Sequence, residues 1–381
     1  MVSTQGLPTS KEELAMMASR ISQLTTWLLF VGVLAVTIGS TGASAADRVA
    51  PRASSRAISE KAFVPIGGIE QWITVKGEDT DNPIVLYLHG GPGDVMSPFA
   101  DRFFKSWLRH FTLVMWDQRG GGRTYGKTGP SIEPTLTIDR LTQDGIEVAE
   151  YLTTHLHQKK IILVGASWGS ILGIHMARSR PNLFCAYVGT AQNVNVQGNL
   201  AVAYPRLLAQ ARAAADQQAV SELEGIRAPP WDSLQKMIVY IRWARTYEAK
   251  AAPVLSYGRS PEYSSVKDQA DFRGGETLSI WHLLGANLSG ELMHVDLNAL
   301  GTDFAMPIFI VQGESDLRTL PDFAKSYLDR ITAPQKQFFL VPKTAHEPSP
   351  ASWDMLFKVL LEQVRPLCVN SSPNTGLAAG P

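Results

Sequence analysis

Gly165-Ala166-Ser167-Trp168-Gly169 sets a serine between two glycines, directly after the apolar run Lys160-Ile161-Ile162-Leu163-Val164 and before a helical pattern. In a strand-to-helix setting this spacing presents a hydroxyl at the apex of a tight turn, and the glycines let two backbone segments pass without Cβ clashes. A serine hydroxyl is a poor nucleophile at neutral pH. Attack on a carbonyl carbon therefore needs a histidine to take its proton and a carboxylate to orient the imidazole. Where such an elbow is used, the acid and then the histidine follow the serine along the chain. Of the 8 histidines only His346 comes after the strand that would carry the acid, in a loop behind the β-like run Gln337-Phe338-Phe339-Leu340-Val341. His89, His110, His155, His157, His175, His282 and His294 are otherwise placed. The buried-strand pattern Pro307-Ile308-Phe309-Ile310-Val311-Gln312 exits into Gly313-Glu314-Ser315-Asp316, so Asp316 is the expected acid and Glu314 its competitor.

A tetrahedral intermediate at the attacked carbon carries a developing oxyanion, which preset backbone N–H groups must receive; losing one such donor costs about 2.7–4 kcal/mol of barrier. The amide of Trp168, just after the nucleophile, is one expected donor. The second comes from His89-Gly90-Gly91-Pro92-Gly93, a loop following the strand-like Pro83-Ile84-Val85-Leu86-Tyr87-Leu88, with Gly91 first and Gly90 second as candidates.

With His89-Gly90-Gly91-Pro92-Gly93, Trp116-Asp117-Gln118-Arg119-Gly120 and Gly165-Ala166-Ser167-Trp168-Gly169-Ser170 present in that order, the chain resembles the proline iminopeptidases and their relatives among the α/β-hydrolases. The resemblance spans residues 60–190 and 300–366. It implies Ser167, Asp316 and His346 as a catalytic triad, Gly91 and Trp168 as the oxyanion hole, and no cofactor. The implied activity is hydrolysis of an amide or ester through an acyl-enzyme, led by release of N-terminal proline or similar residues from short peptides. A carboxylesterase or amidase of small substrates, and a catalytically silent ligand-binding member of the fold, are the alternatives. A binding-only descendant has no physical need to keep acid, base, nucleophile and both donor loops. Epoxide hydrolase and dehalogenase chemistry is disfavoured because the elbow holds serine rather than a carboxylate. The family's WDQRG segment shapes the floor beside the site, so Asp117 and Arg119 are expected to form a structural ion pair. Two departures bear on substrate. Asp94 follows Gly93 where the family continues with glycine. The family also holds the substrate's ammonium with cap glutamates, as an apolar pocket requires; Glu222, Glu224, Glu248, Glu262, Glu276 and Glu291 all fall in the corresponding segment without aligning to it.

These residues need a frame. An alternating segment at 58–78 predicts an antiparallel strand pair at a sheet edge, and strand-like runs recur at 84–88, 112–116, 161–164, 186–189, 308–311 and 338–341. Helical patterns at 138–157, 169–180, 322–331 and 353–364 separate most of them. The expected class is α/β: a mostly parallel sheet with helices on both faces, whose strand ends carry the site. The strand pattern lapses at 191–300, where helical runs at 200–220 and 231–246 predict an inserted α-helical cap over the core formed by 58–190 and 301–368.

At 381 residues with 45% hydrophobic and 18% charged, the chain can bury one large core plus an insertion. Its net charge of zero offers nothing to nucleic acid or an anionic membrane, which leaves a small molecule or short peptide as partner. No C-x-x-C or H-E-x-x-H spacing predicts a metal. Residues 1–45 have early basic residues, an apolar stretch at 27–38 and small residues ending in Ala43-Ser44-Ala45, the layout of a signal peptide cleaved after Ala45. Export to the periplasm or beyond the cell is the expectation, with a retained membrane anchor the alternative. An exported chain could join Cys185 to Cys368; a buried free thiol at Cys185 fits its apolar run equally. The tail at 369–381, rich in Ser, Pro, Gly and Asn, is expected to be disordered.

Overall fold

The computed structural model describes residues 56–369 apart from Tyr257. The expected signal segment and the tail beyond Val369 lie outside the described residues; Val369 itself closes a helical turn.

Eight strands form one sheet in the order β1-β2-β4-β3-β5-β6-β7-β8. β1 (Ile58–Ile66) and β2 (Ile69–Gly77) make the antiparallel edge pair, and β2 also runs antiparallel to β4 (Thr112–Asp117). β3 (Ile84–Leu88), β5 (Ile161–Ala166), β6 (Phe184–Thr190), β7 (Ile308–Gly313) and β8 (Lys336–Val341) continue it in parallel. The central runs are apolar because both faces are covered: every residue of β3, β4 and β7 is buried, whereas β1 at the edge is largely exposed. Two apolar clusters, one on each face, enclose the sheet.

The core includes the helices α1 (Gly122–Thr128), α2 (Ile138–His155) and α3 (Trp168–Ser179). Between β6 and β7 the chain forms a helical insertion of α4 (Val196–Ala213), α5 (Gln217–Ile226), α6 (Leu234–Ala251) and α7 (Val266–Leu284). The helix expected at 200–220 is two: Ala215 turns to φ +51°, and the Asp216 side chain accepts from Ala219 N to start α5. α7 lies beyond the helical runs expected at 200–220 and 231–246. α8 (Pro321–Arg330) and α9 (Pro350–Lys358) complete the core, and α9 runs on through a π-helical segment, Val359–Val364, so its helix reaches the length expected. Cys368 in the last turn is bonded to Cys185 on β6. Among the described residues no helix is long and apolar enough to cross a membrane.

Candidate active site

Ser167 stands where β5 gives way to α3, with φ +51° and its N–H on Thr190 O at 3.0 Å. The glycines around it are sterically required: a Cβ on Gly165 would lie 2.4 Å from Gly169 O, and one on Gly169 2.2 Å from Leu88 O. Ser170 fastens the turn, its hydroxyl donating to Ser167 O at 2.6 Å and accepting from Asn193 N at 2.9 Å.

Three side chains from different loops converge. His346 Nε2 is 3.0 Å from Ser167 Oγ, and His346 Nδ1 is 3.0 Å from each carboxylate oxygen of Asp316. Asp316 also accepts from Arg318 N at 2.9 Å, Thr319 N at 2.7 Å, Thr319 Oγ1 at 2.7 Å and Gln312 Nε2 at 3.1 Å. Burial alone would raise its pKa, but the imidazole and the donors from Thr319 outweigh it and hold the carboxyl below its usual range. A permanently ionised acid fixes the proton on Nδ1 and leaves Nε2 free to accept from the serine. Glu314 is exposed and makes no hydrogen bond to the imidazole among the described residues.

The donor loop lies over the elbow: a Cβ on Gly90 would be 3.5 Å from Ser167 Cβ. Gly91 has φ +107° and is open to solvent. His89, set aside by its position before the serine, has a part here. Its Nδ1 donates to Gly90 O at 2.8 Å, and burial pushes its pKa down to about 4, so the ring is neutral. Because the carbonyl and N–H of one trans peptide point oppositely, holding Gly90 O orients the Gly91 N–H. As the first residue of α3, Trp168 has no helical carbonyl for its own N–H. Its position at the head of the HGGPG loop was the available signal for His89.

The floor segment differs from expectation. Arg119 pairs with Asp144 on α2 at 2.7 Å, not with Asp117, which receives Ser97 Oγ and Arg123 N instead. The backbone turns between them, Gly121 N meeting Gln118 O at 2.8 Å, and this sends the two side chains to different neighbours. Gln118 Oε1 accepts from the Trp168 indole at 3.0 Å.

Of the six glutamates considered for ammonium binding, five are engaged elsewhere. Glu222 pairs with Arg242, Glu224 with Arg212, Glu262 with Lys61 and Glu248 with Arg318, while Glu291 accepts from Ile138 N. Glu276 on α7 is buried, and no hydrogen bond to its carboxylate occurs among the described residues. The donor loop packs directly on it: a Cβ on Gly93 would lie 2.9 Å from Glu276 Cα. Burial, reinforced by Asp94, raises Glu276 to about 8. Asp94 is open to solvent, and desolvation by the protein around it, with Glu347, raises it to about 6. No cluster of metal-binding side chains occurs among the described residues.

Residues 83–350 match the family described as alpha/beta hydrolase fold. A probable aminopeptidase, YbaC, of Bacillus subtilis (strain 168) is 29% identical over 308 residues, covering 78% of this chain and 93% of the relative. A probable proline iminopeptidase of Streptomyces coelicolor is 33% identical over 125 residues, 32% of this chain and 36% of the relative. Among solved structures, a proline iminopeptidase from Mycobacterium smegmatis superposes with a TM-score of 0.59 at 19% identity, over 83% of this chain and all (100%) of that one.

Proposed function

Since this chain belongs to the alpha/beta hydrolase fold family, we propose that it is a serine hydrolase that cleaves an amide through an acyl-enzyme, releasing proline or similar residues from the N-termini of short peptides. The observation that carries the reading is the relay Ser167–His346–Asp316 with a carboxylate pair, Asp94 and Glu276, set beside its donor loop. His346 takes the hydroxyl proton as Ser167 Oγ bonds to the carbonyl carbon. The oxyanion forms against the amides of Gly91 and Trp168. His346 then returns the proton to the departing amine, and a water activated by the same imidazole releases the acyl group. The substrate's ammonium sits between Asp94 and Glu276, where an unpaired cation would otherwise lose its hydration. Aminopeptidase and proline iminopeptidase relatives support this choice.

The test is turnover of a prolyl-arylamide beside short-chain acyl esters, with fluorophosphonate labelling of Ser167. Turnover of the ester alone replaces the peptidase reading with a carboxylesterase or amidase, and a folded protein that neither labels nor turns over is a silent binder.

The protein is also proposed to act outside the cytoplasm. The signal-like residues 1–45 and the bond between Cys185 and Cys368, which needs an oxidising compartment to persist, support export. Fractionation that finds the full-length chain in the cytosol with two titratable thiols rules it out; recovery with membranes, uncleaved, favours the anchor.

A further inference from the structure

The loop that carries the acid is held from the insertion at nearly every peptide. On α6, Tyr240 Oη donates to Leu317 O at 2.6 Å and Glu248 Oε1 accepts from Leu317 N at 2.9 Å. On α4, Asn199 donates to Arg318 O at 2.8 Å and accepts from Leu320 N at 2.7 Å. The histidine loop is held as well, since Leu255 N, in the segment following α6, donates to Pro348 O at 2.7 Å.

Arg318 joins these attachments. Its Nε meets Glu248 Oε2 at 2.9 Å and its Nη2 meets Glu347 Oε1 at 2.8 Å, so a single guanidinium links the acid loop, the insertion and the residue next to His346. The Arg318 and Glu248 side chains are 10% and 3% exposed, so both charges depend on each other. Burial would raise Glu347, yet the Arg318 charge overrides it and the carboxyl falls to about 2.

We propose that Arg318 is a positioning residue that couples the docking of the insertion to the alignment of His346 on Ser167. The role rests on the serine-hydrolase reading above. The planar fork holds separate N–H groups at fixed spacing toward two carboxylates, a geometry the compact ammonium of lysine matches only in part. Without it the histidine loop keeps Asp316 but loses its tie to α6, and a displacement of about 1 Å in such a relay costs about 100-fold in rate.

The test uses the full chain at 25 °C, with Tm measured for each variant. Arg318→Gln should lower kcat about 10- to 100-fold on both a prolyl-arylamide and an acyl ester without an amine, with KM changed less than about 3-fold, and should slow fluorophosphonate labelling in proportion. Arg318→Lys should recover part of that loss. Glu347→Gln, on a half-buried side chain, keeps Arg318 on Glu248 and should cost about 3- to 10-fold in kcat. Labelling and kcat at wild-type values in Arg318→Gln, or in Arg318→Lys and Glu347→Gln together if the glutamine variant does not fold, overturn the positioning role. Wild-type protein that fails to label overturns the hydrolase reading itself.

Discussion

Two groups of charge, one beside the histidine loop and one beside the donor loop, differ in how their carboxylates are partnered. Around Arg318 each carboxylate has a guanidinium within hydrogen-bond reach; Glu347 falls to about 2, while burial keeps Glu248 above its usual range despite the same arginine. Around the donor loop, Asp94 and Glu276 feel Arg245 and Arg259, but desolvation wins, with Glu347 adding to it at Asp94 and Asp94 adding to it at Glu276, and raises them to about 6 and about 8. Arg259 is turned instead onto the rings of Phe272, at 4.0 Å, and Phe99, at 5.0 Å. A carboxylate already saturated by arginine serves as scaffold. One left without a donor gains most from a cation brought by a ligand.

The largest expected effect removes the chemistry and leaves both clusters in place. Ser167→Ala should lower kcat by about 10⁴-fold or more, while calorimetry still detects binding of a prolyl ligand. Loss of that binding together with turnover would mean that the elbow, not the carboxylate pair, supplies the affinity.

Next, Asp94→Asn with Glu276→Gln should raise KM for the prolyl-arylamide about 10- to 100-fold and spare the acyl ester, the reverse of the pattern expected at Arg318. Equal losses on both substrates would erase the distinction between the clusters.

A smaller effect lies in pH. Raised carboxyl pKa values mean that the pair takes up protons as pH falls from about 8 through about 6. The substrate's α-amine loses its own proton above about 8. KM for the amine substrate should therefore be lowest near pH 7–8 and climb toward pH 5.5, with a flatter profile for the ester; parallel profiles would count against the pair as the ammonium site.

Stability carries the opposite sign. With its folded pKa at about 8 against 4.5 for the free group, Glu276 binds more protons folded than unfolded across that window, so it destabilises progressively as pH rises. Glu276→Gln should raise Tm at pH 8 by roughly 2–4 °C, with the gain vanishing near pH 4.

The smallest effect on catalysis belongs to a region neither cluster touches. Replacing Cys185 and Cys368 with serine opens a cross-link spanning 183 residues, and should lower Tm by roughly 5–10 °C while kcat at 25 °C stays unchanged. A drop in kcat would place the C-terminal helix within the positioning scaffold.

Much of the core was legible because its signals are local. An apolar run buried on both faces, a glycine where two backbones touch and a loop after a strand end are each written within about ten residues, so β5, β7 and the positions of Ser167, Asp316 and His346 could be read off the chain. The insertion was less readable. α7 was missed because its apolar and polar residues do not separate cleanly into faces: Phe272, Gly275, Glu276 and Ser279 are all buried. Asp117 and Arg119 misled through their closeness in sequence, since one turn of backbone decided their partners.

By itself, then, the sequence determined the order of the core strands and the side chains proposed for acyl transfer, because hydrogen-bonding periodicity and steric demands at glycine act between near neighbours. Which carboxylate is paired with arginine and which is left without a hydrogen bond among the described residues was decided only by the tertiary structure. Glu248 and Glu276 look alike along the chain. Arg318, 70 residues beyond Glu248, reaches one and not the other, and charge pairing over that separation depends on distance in space alone.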